Sequence, residues 1–213
     1  MKYLKWLIKM CIVACFLVGC GHLVLPFHYI KNGEYSPVAL RVVHIWIDKE
    51  FYAADQLALD DAIRQWNFAL NGYVKLEIVS TTFDMEPEII QRANLERGWL
   101  IMKVHSGNSI IPDQSDKGQV KYYTLAWVND IGGNHMWMVR DRLRNEWMTG
   151  VALHEIGHML GAEHDNVYLM QPHFNWEDYR CVDQYTLKQV ALYQHIQLKN
   201  LNYCIYGGDV KFN

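Results

Sequence analysis

This 213-residue chain has no basic patch: 20 Lys and Arg stand against 23 Asp and Glu, a formal charge of −3. That balance argues against nucleic acid as a partner. The chain also lacks any uninterrupted apolar stretch of about 20 residues, the length a membrane-crossing helix needs. Charge is sparse as well, at 20% against 51% hydrophobic residues. A chain with so much apolar and so little charged surface can bury a sizeable core, which excludes extensive disorder and fits one globular domain.

What is present begins at the N-terminus. Lys2, Lys5 and Lys9 surround a short apolar run that continues through residues 12–18. A basic region followed by a short apolar one is the form of a secretory signal. Leu17-Val18-Gly19-Cys20 resembles the bacterial lipobox, in which the sulfur of the Cys takes a lipid before cleavage ahead of it. An ordinary signal peptide cut near Gly19 or Gly21 is the alternative, and it leaves Cys20 incidental. The lipobox reading divides the chain into a signal over 1–19, a lipid-anchored tether over 20–37 and a folded domain over 38–213. It implies export and attachment to the bacterial cell envelope, with a membrane contact through Cys20. The mature chain then carries 17 basic and 23 acidic residues, a formal charge of −6.

The five cysteines divide accordingly. Cys11 and Cys15 leave with the signal, Cys20 carries lipid, and Cys181 and Cys204 remain. An exported location permits a disulfide between the last two; two free buried thiols are the alternative.

Periodicity lays out the domain. Residues 40–47 read as a strand, and apolar positions at helical spacing predict a helix over 53–70 that Asn71-Gly72 stops. Residues 74–79 alternate as a second strand, so strand, helix and strand suggest a right-handed parallel unit. A short helix over 87–97, a strand over 99–104 and a surface loop over 106–118 follow. Two further strands are expected, over 120–128 and 136–139. Thr186 and Gln189 have the spacing of a capping box, placing a last helix up to about residue 194.

Between these elements lies the stretch that carries the chemistry. In a helix, His154 and His158 are four residues apart and project from one face, close enough to share one ion. Glu155 stands beside that face, where it can reach a metal-activated water without taking a coordination position. Gly161 can adopt the left-handed conformation that ends a helix, and the returning chain would bring His164 in as a third imidazole. Three protein ligands leave a fourth position open, the arrangement of a catalytic rather than structural zinc site. His-Glu-x-x-His alone arises by chance in about one chain in forty of this length, whereas adding Gly161 and His164 lowers that to roughly one in ten thousand. The spacing therefore points to a ligand set rather than to histidines merely packed on a helix.

His154-Glu-x-x-His158-x-x-Gly161-x-x-His164 resembles the signature of the metzincin zinc metalloproteases, and Leu169-Met170-Gln171-Pro172 looks like their Met-turn. The wording of residues 151–161 is closest to the matrixin branch. Asp165 is more like the adamalysin branch, and the interval from His164 to Met170 is shorter than in a typical matrixin. The resemblance implies an α+β fold: a twisted, mostly parallel five-stranded sheet with an antiparallel edge strand, packed on helices. The zinc site would lie between an upper and a small lower subdomain. It implies a monomeric zinc-dependent endopeptidase acting on protein or peptide substrates, with Glu155 as general base and Met170 supporting the histidines from below. Leu125, Ala126 and Trp127 would lie on the strand that receives an extended peptide, and Pro172 would line the pocket beyond the cut.

The sequence also departs from matrixins, which carry a structural zinc and calcium. His105 and His135 fall near two expected positions, but Trp127 stands where another ligand would be, and no dense acidic cluster surrounds Asp130 or Asp141. One catalytic Zn2+ is therefore expected. Two other readings stay open: a catalytically retired binding lipoprotein on the same scaffold, and a zinc hydrolase of a non-peptide substrate.

Overall fold

The computed structural model describes residues 27–84, 90–91, 98–112, 123–166, 168–173 and 180–206. Within them a five-stranded sheet has the order β3-β2-β4-β6-β5. Its strands are β2 (Arg41–Asp48), β3 (Val74–Phe83), β4 (Trp99–Val104), β5 (Ala126–Val128) and β6 (His135–Val139). β2, β3, β4 and β6 run parallel, and β5 alone is antiparallel, at the edge beside β6. The fold is the mixed α+β arrangement expected from the sequence. Every residue of the central strand β4 is buried, as a parallel strand covered on both faces requires.

Two helices cover one face. Helix α1 (Ala53–Leu70) turns Leu59, Ala62, Ile63, Trp66 and Leu70 into the core. It stops at Asn71, which takes a left-handed φ of 49° that asparagine tolerates better than most residues. Helix α2 (Met148–Met159) crosses it, and Trp66 Nε1 donates to the Leu153 carbonyl at 3.0 Å. The start of α1 is held by charge. Asp55, almost fully buried, accepts from Arg140 Nε at 2.8 Å, and Arg140 immediately follows β6 on the way to α2. Trp46, Phe83, Leu100 and Met102 form a second cluster on their own.

The remaining elements close the far end. Helix α3 (Gln184–Tyr193) leads to β7 (Tyr203–Tyr206), which pairs antiparallel with β1 (Phe27–Ile30). A strand thus lies inside the span expected as tether. Cys181 and Cys204 form a disulfide, with Cα atoms 6.2 Å apart.

Several local expectations are corrected. The cap of α3 is Asp183, whose side chain accepts from the Tyr185 and Thr186 amides, while Gln189 accepts from the Glu163 amide. Asn145 and Thr149 are of the residue types that cap helices, and either could have served α2, but no side chain caps it: Asn145 is engaged by Arg140, and Thr149 Oγ1 donates to Ala58 O. The pairing of β5 begins only at Ala126; residues 123–125 are not strand, and 120–122 lie outside the described residues. The helix expected over 87–97 also lies outside them, except for residues 90–91, which are helical.

Candidate metal centre

The site is built where α2 ends. Leu160 is its cap, and Gly161 follows with φ 104°. The Ala162 amide donates to Gly157 O at 2.9 Å and the Gly161 amide to His158 O at 3.0 Å. This paired closure satisfies two terminal carbonyls and turns the chain back on itself. A side chain at position 161 would meet both a forbidden φ and the Tyr193 ring, which lies within 2.6 Å of where a Cβ would be. The reversal carries His164 back over the face of α2 that bears His154 and His158.

The three Nε2 atoms face one another. His154 and His164 are separated by 3.2 Å, His158 and His154 by 3.1 Å, and His158 and His164 by 3.1 Å. These are not ordinary hydrogen bonds. His154 Nδ1 lies 2.7 Å from Leu169 O, and His158 Nδ1 lies 2.7 Å from Ala162 O. A carbonyl can only accept, so each Nδ1 carries the proton and each Nε2 presents a bare lone pair. Burial holds both rings neutral, pushing the His154 pKa down to about 3 and that of His158 to about 4; it lowers His164 as well. Lone pairs converging on one point repel unless a cation lies among them. Tetrahedral ligation at about 2.0–2.1 Å sets nitrogens about 3.3–3.4 Å apart, close to the spacing seen. The donor set therefore fits a metal ion, and it is the one such group of three or more residues among those described.

Glu155 is buried beside the triad, and burial pushes its carboxyl up to about 8, while the Arg180 guanidinium pulls the other way. Beneath the helix, a short 3-10 turn at Tyr168–Met170 brings the fully buried Met170 under α2. Gly157 makes this possible: a Cβ there would stand 2.7 Å from Met170 Sδ. The glycine between His154 and His158 is thus the gap into which the methionine fits.

The triad and Glu155 open onto one cleft. Leu125, Ala126, Trp127 and Val128 line one wall; Gln171, Pro172, His173 and Arg180 line the other, with His154, Glu155, His158 and His164 between them. The structure so brings together every site residue expected from the sequence except Cys20, which lies outside the described residues, Met170, which packs beneath the cleft, and the disulfide cysteines. Among the described residues, no strand pairs with the outer edge of β5. Trp127 stacks on Trp137, with centroids 5.3 Å apart, rather than pointing at a metal. His135 also stacks on Trp137, its Nδ1 2.6 Å from Asn134 Oδ1.

Sequence reasoning missed Arg180 and Asp183. Both grip Leu169, the residue that accepts from His154: the Leu169 amide donates to Asp183 Oδ2 at 3.2 Å, and Arg180 Nη1 donates to Leu169 O at 3.0 Å. Neither contact follows from local spacing, since the partners sit 14 and 11 residues apart in sequence.

No protein-family model and no curated protein matches this sequence. Among solved structures, the chain is similar to metalloproteinase-II from Bacteroides fragilis, at 18% identity and a TM-score of 0.44. The match covers 81% of this chain and 59% of that one, so this chain spans less than two thirds of that protein's length.

Proposed function

We propose that this protein is a zinc-dependent endopeptidase of the metzincin type, closest to the matrixin branch. The observation that carries the reading is the convergence of three histidine Nε2 atoms within 3.2 Å of one another, two of them left bare by Nδ1–carbonyl contacts, with a buried carboxyl, Glu155, in the same cleft. Zinc is the ion that three imidazoles with an open fourth position suit best, and when bound it supplies Lewis-acid polarisation and an acidified water. Glu155 serves as the base that takes the proton from the attacking water and then passes it to the leaving amine. Burial raises its carboxyl in the metal-free protein, and a nearby dication would lower it again, favouring the carboxylate that a general base must be.

The cleft favours a peptide. Its volume of about 1220 Å³ exceeds the 300–1,000 Å³ usual for small-molecule pockets. The outer edge of β5 offers main-chain donors and acceptors to an extended substrate, which Leu125, Ala126 and Trp127 would border. Pro172 shapes the opposite wall. Two results decide between the readings. The protein loaded with zinc should cut a broad peptide library at internal bonds, and removal of metal by a chelator should stop it. Stoichiometric zinc without any cleavage would favour a binding protein or a non-peptide hydrolase.

We further propose attachment to the bacterial envelope through Cys20. Six residues separate Cys20 from β1, a reach of at most about 25 Å, so the domain would work close to the membrane surface. No helix among the described residues is long and apolar enough to cross a membrane. Cells fed a labelled fatty acid should incorporate it into the wild-type protein and not into Cys20→Ala. Equal labelling of the two would end the lipoprotein assignment.

A further inference from the structure

We propose that Arg180 is a positioning residue for His154, acting through the Leu169 carbonyl; this rests on the metal-site reading above. Arg180 is buried, 7% exposed, in the wall of the cleft. Its Nη1 donates to Leu169 O at 3.0 Å and its Nη2 to His173 O at 3.0 Å. One planar guanidinium therefore bridges two carbonyls four residues apart, spanning the loop that carries Met170 and Pro172. A fixed fork does this with two separate nitrogens, a geometry that the single ammonium of a lysine does not reproduce.

The same Leu169 oxygen takes the Nδ1 proton of His154 at 2.7 Å. Arg180 Nη1 also lies 3.1 Å from His154 Nδ1. Were Nδ1 the acceptor of that contact, the imidazole proton would sit on Nε2 and block ligation. A carbonyl has two lone pairs, so Leu169 O can accept from both groups at once, leaving His154 Nε2 free for metal. The position of this one oxygen thus sets both the tautomer and the tilt of the ligand ring.

Leu169 is held from its other side as well, because its amide donates to Asp183 Oδ2 at 3.2 Å. The clamping segment is itself fixed. Cys181 is covalently joined to Cys204, and the Cys204 amide donates to Val182 O at 2.9 Å. A rigid segment, residues 180–183, therefore grips both polar groups of the one residue that orients a ligand. An arginine serving only to fill space would not need to meet the acceptor of a ligand's own proton.

Arg180→Met and Arg180→Lys should each be purified without metal beside the wild type, and zinc affinity measured by competition with a chromophoric chelator. Partners of this kind are worth about 10–100-fold in metal affinity. Arg180→Met should fall by that factor, and Arg180→Lys, which can reach one carbonyl, by less. The visible spectrum of the cobalt-loaded variants should change in shape, reporting an altered ligand field. A folded variant with wild-type zinc affinity and an unchanged cobalt spectrum would overturn the proposal, even if its thermal midpoint fell, because that is the result of a merely structural role. Should Arg180→Met not fold, Arg180→Lys decides by the same two readouts. Wild type that binds no zinc is a different failure, that of the metal site itself.

Discussion

Replacing Glu155 by alanine should leave zinc bound at wild-type stoichiometry and remove most peptide hydrolysis. The carboxyl belongs to none of the three Nε2 contacts, so its loss deletes no ligand. It lies one residue from His154 on α2 and lines the same cleft, within the space that an attacking water and a scissile carbonyl would share. General-base catalysis is typically worth about 10²–10⁴-fold, and the upper end is expected because one group handles both proton transfers. Substrate affinity should change little, so the loss should appear in kcat rather than KM. Glu155→Gln keeps the volume and removes the base, and should be as inactive as the alanine variant. Metal content by atomic absorption and hydrolysis of one quenched peptide, read on the same preparations, give the test. Full activity in either variant would refute the role of Glu155.

The parts of the molecule legible in the sequence are those fixed by short-range periodicity. Helix α1 occupies the span 53–70 that its apolar spacing indicates, and Asn71 stops it by going left-handed. The relation of His154, His158 and His164 is equally local, because a helix sets the first separation and the turn at Gly161 sets the second. Where the outcome depends on long-range partners, the reading fails or is incomplete. Residues 123–125 have strand-like composition, yet the Thr124 carbonyl accepts from Arg142 and the ladder with β6 starts at Ala126. Thr186 and Gln189 look like a capping box, but Asp183 takes the cap because its carboxylate reaches two amides, and Gln189 is drawn to the Glu163 amide instead. β1 is only four residues long and gains its pairing from β7, nearly the whole chain away. The hold of Arg180 and Asp183 on Leu169 belongs to the same class.

These long-range contacts explain how a loop can hold a ligand set rigidly. Imidazole orientation tolerates little error, and a loop ordinarily supplies little stiffness. Here the Met170 side chain fills the gap at Gly157, the Leu169 peptide is gripped at both ends, and Tyr193 packs against Gly161 and Gly132 at the chain reversal. The Gly132 amide also donates to His158 O at 2.8 Å, tying the β5–β6 connection to the last turn of α2. Each wall of the cleft is thus fastened to the ligand helix.

His158→Ala should fail in the opposite sense to Glu155→Ala, losing metal first and activity as a consequence. His158 is the central member of the triad: its Nε2 is within 3.1 Å of both other Nε2 atoms, and its Nδ1 proton is committed to Ala162 O inside the helix-closing turn. Complete four-ligand zinc sites bind with apparent free energies of about 10–16 kcal/mol, so one ligand is worth roughly 2.5–4 kcal/mol. At 1.4 kcal/mol per tenfold, affinity should fall by about 10²–10³-fold. His154→Ala and His164→Ala should lose comparable amounts, with His164 the mildest because it is the most exposed of the three and least constrained by packing. Removing His158 also removes one of the lone pairs that repel one another in the metal-free protein. Against that relief stand the cavity left by the ring and the unpaired Ala162 carbonyl, so the two proteins are compared by the shift that zinc produces in each. Added zinc should raise the wild-type midpoint strongly, since ligand binding to the folded state stabilises it by mass action, and should raise that of the variant far less. Equal stabilisation of the two proteins by equal zinc would mean that the three histidines do not form the metal site.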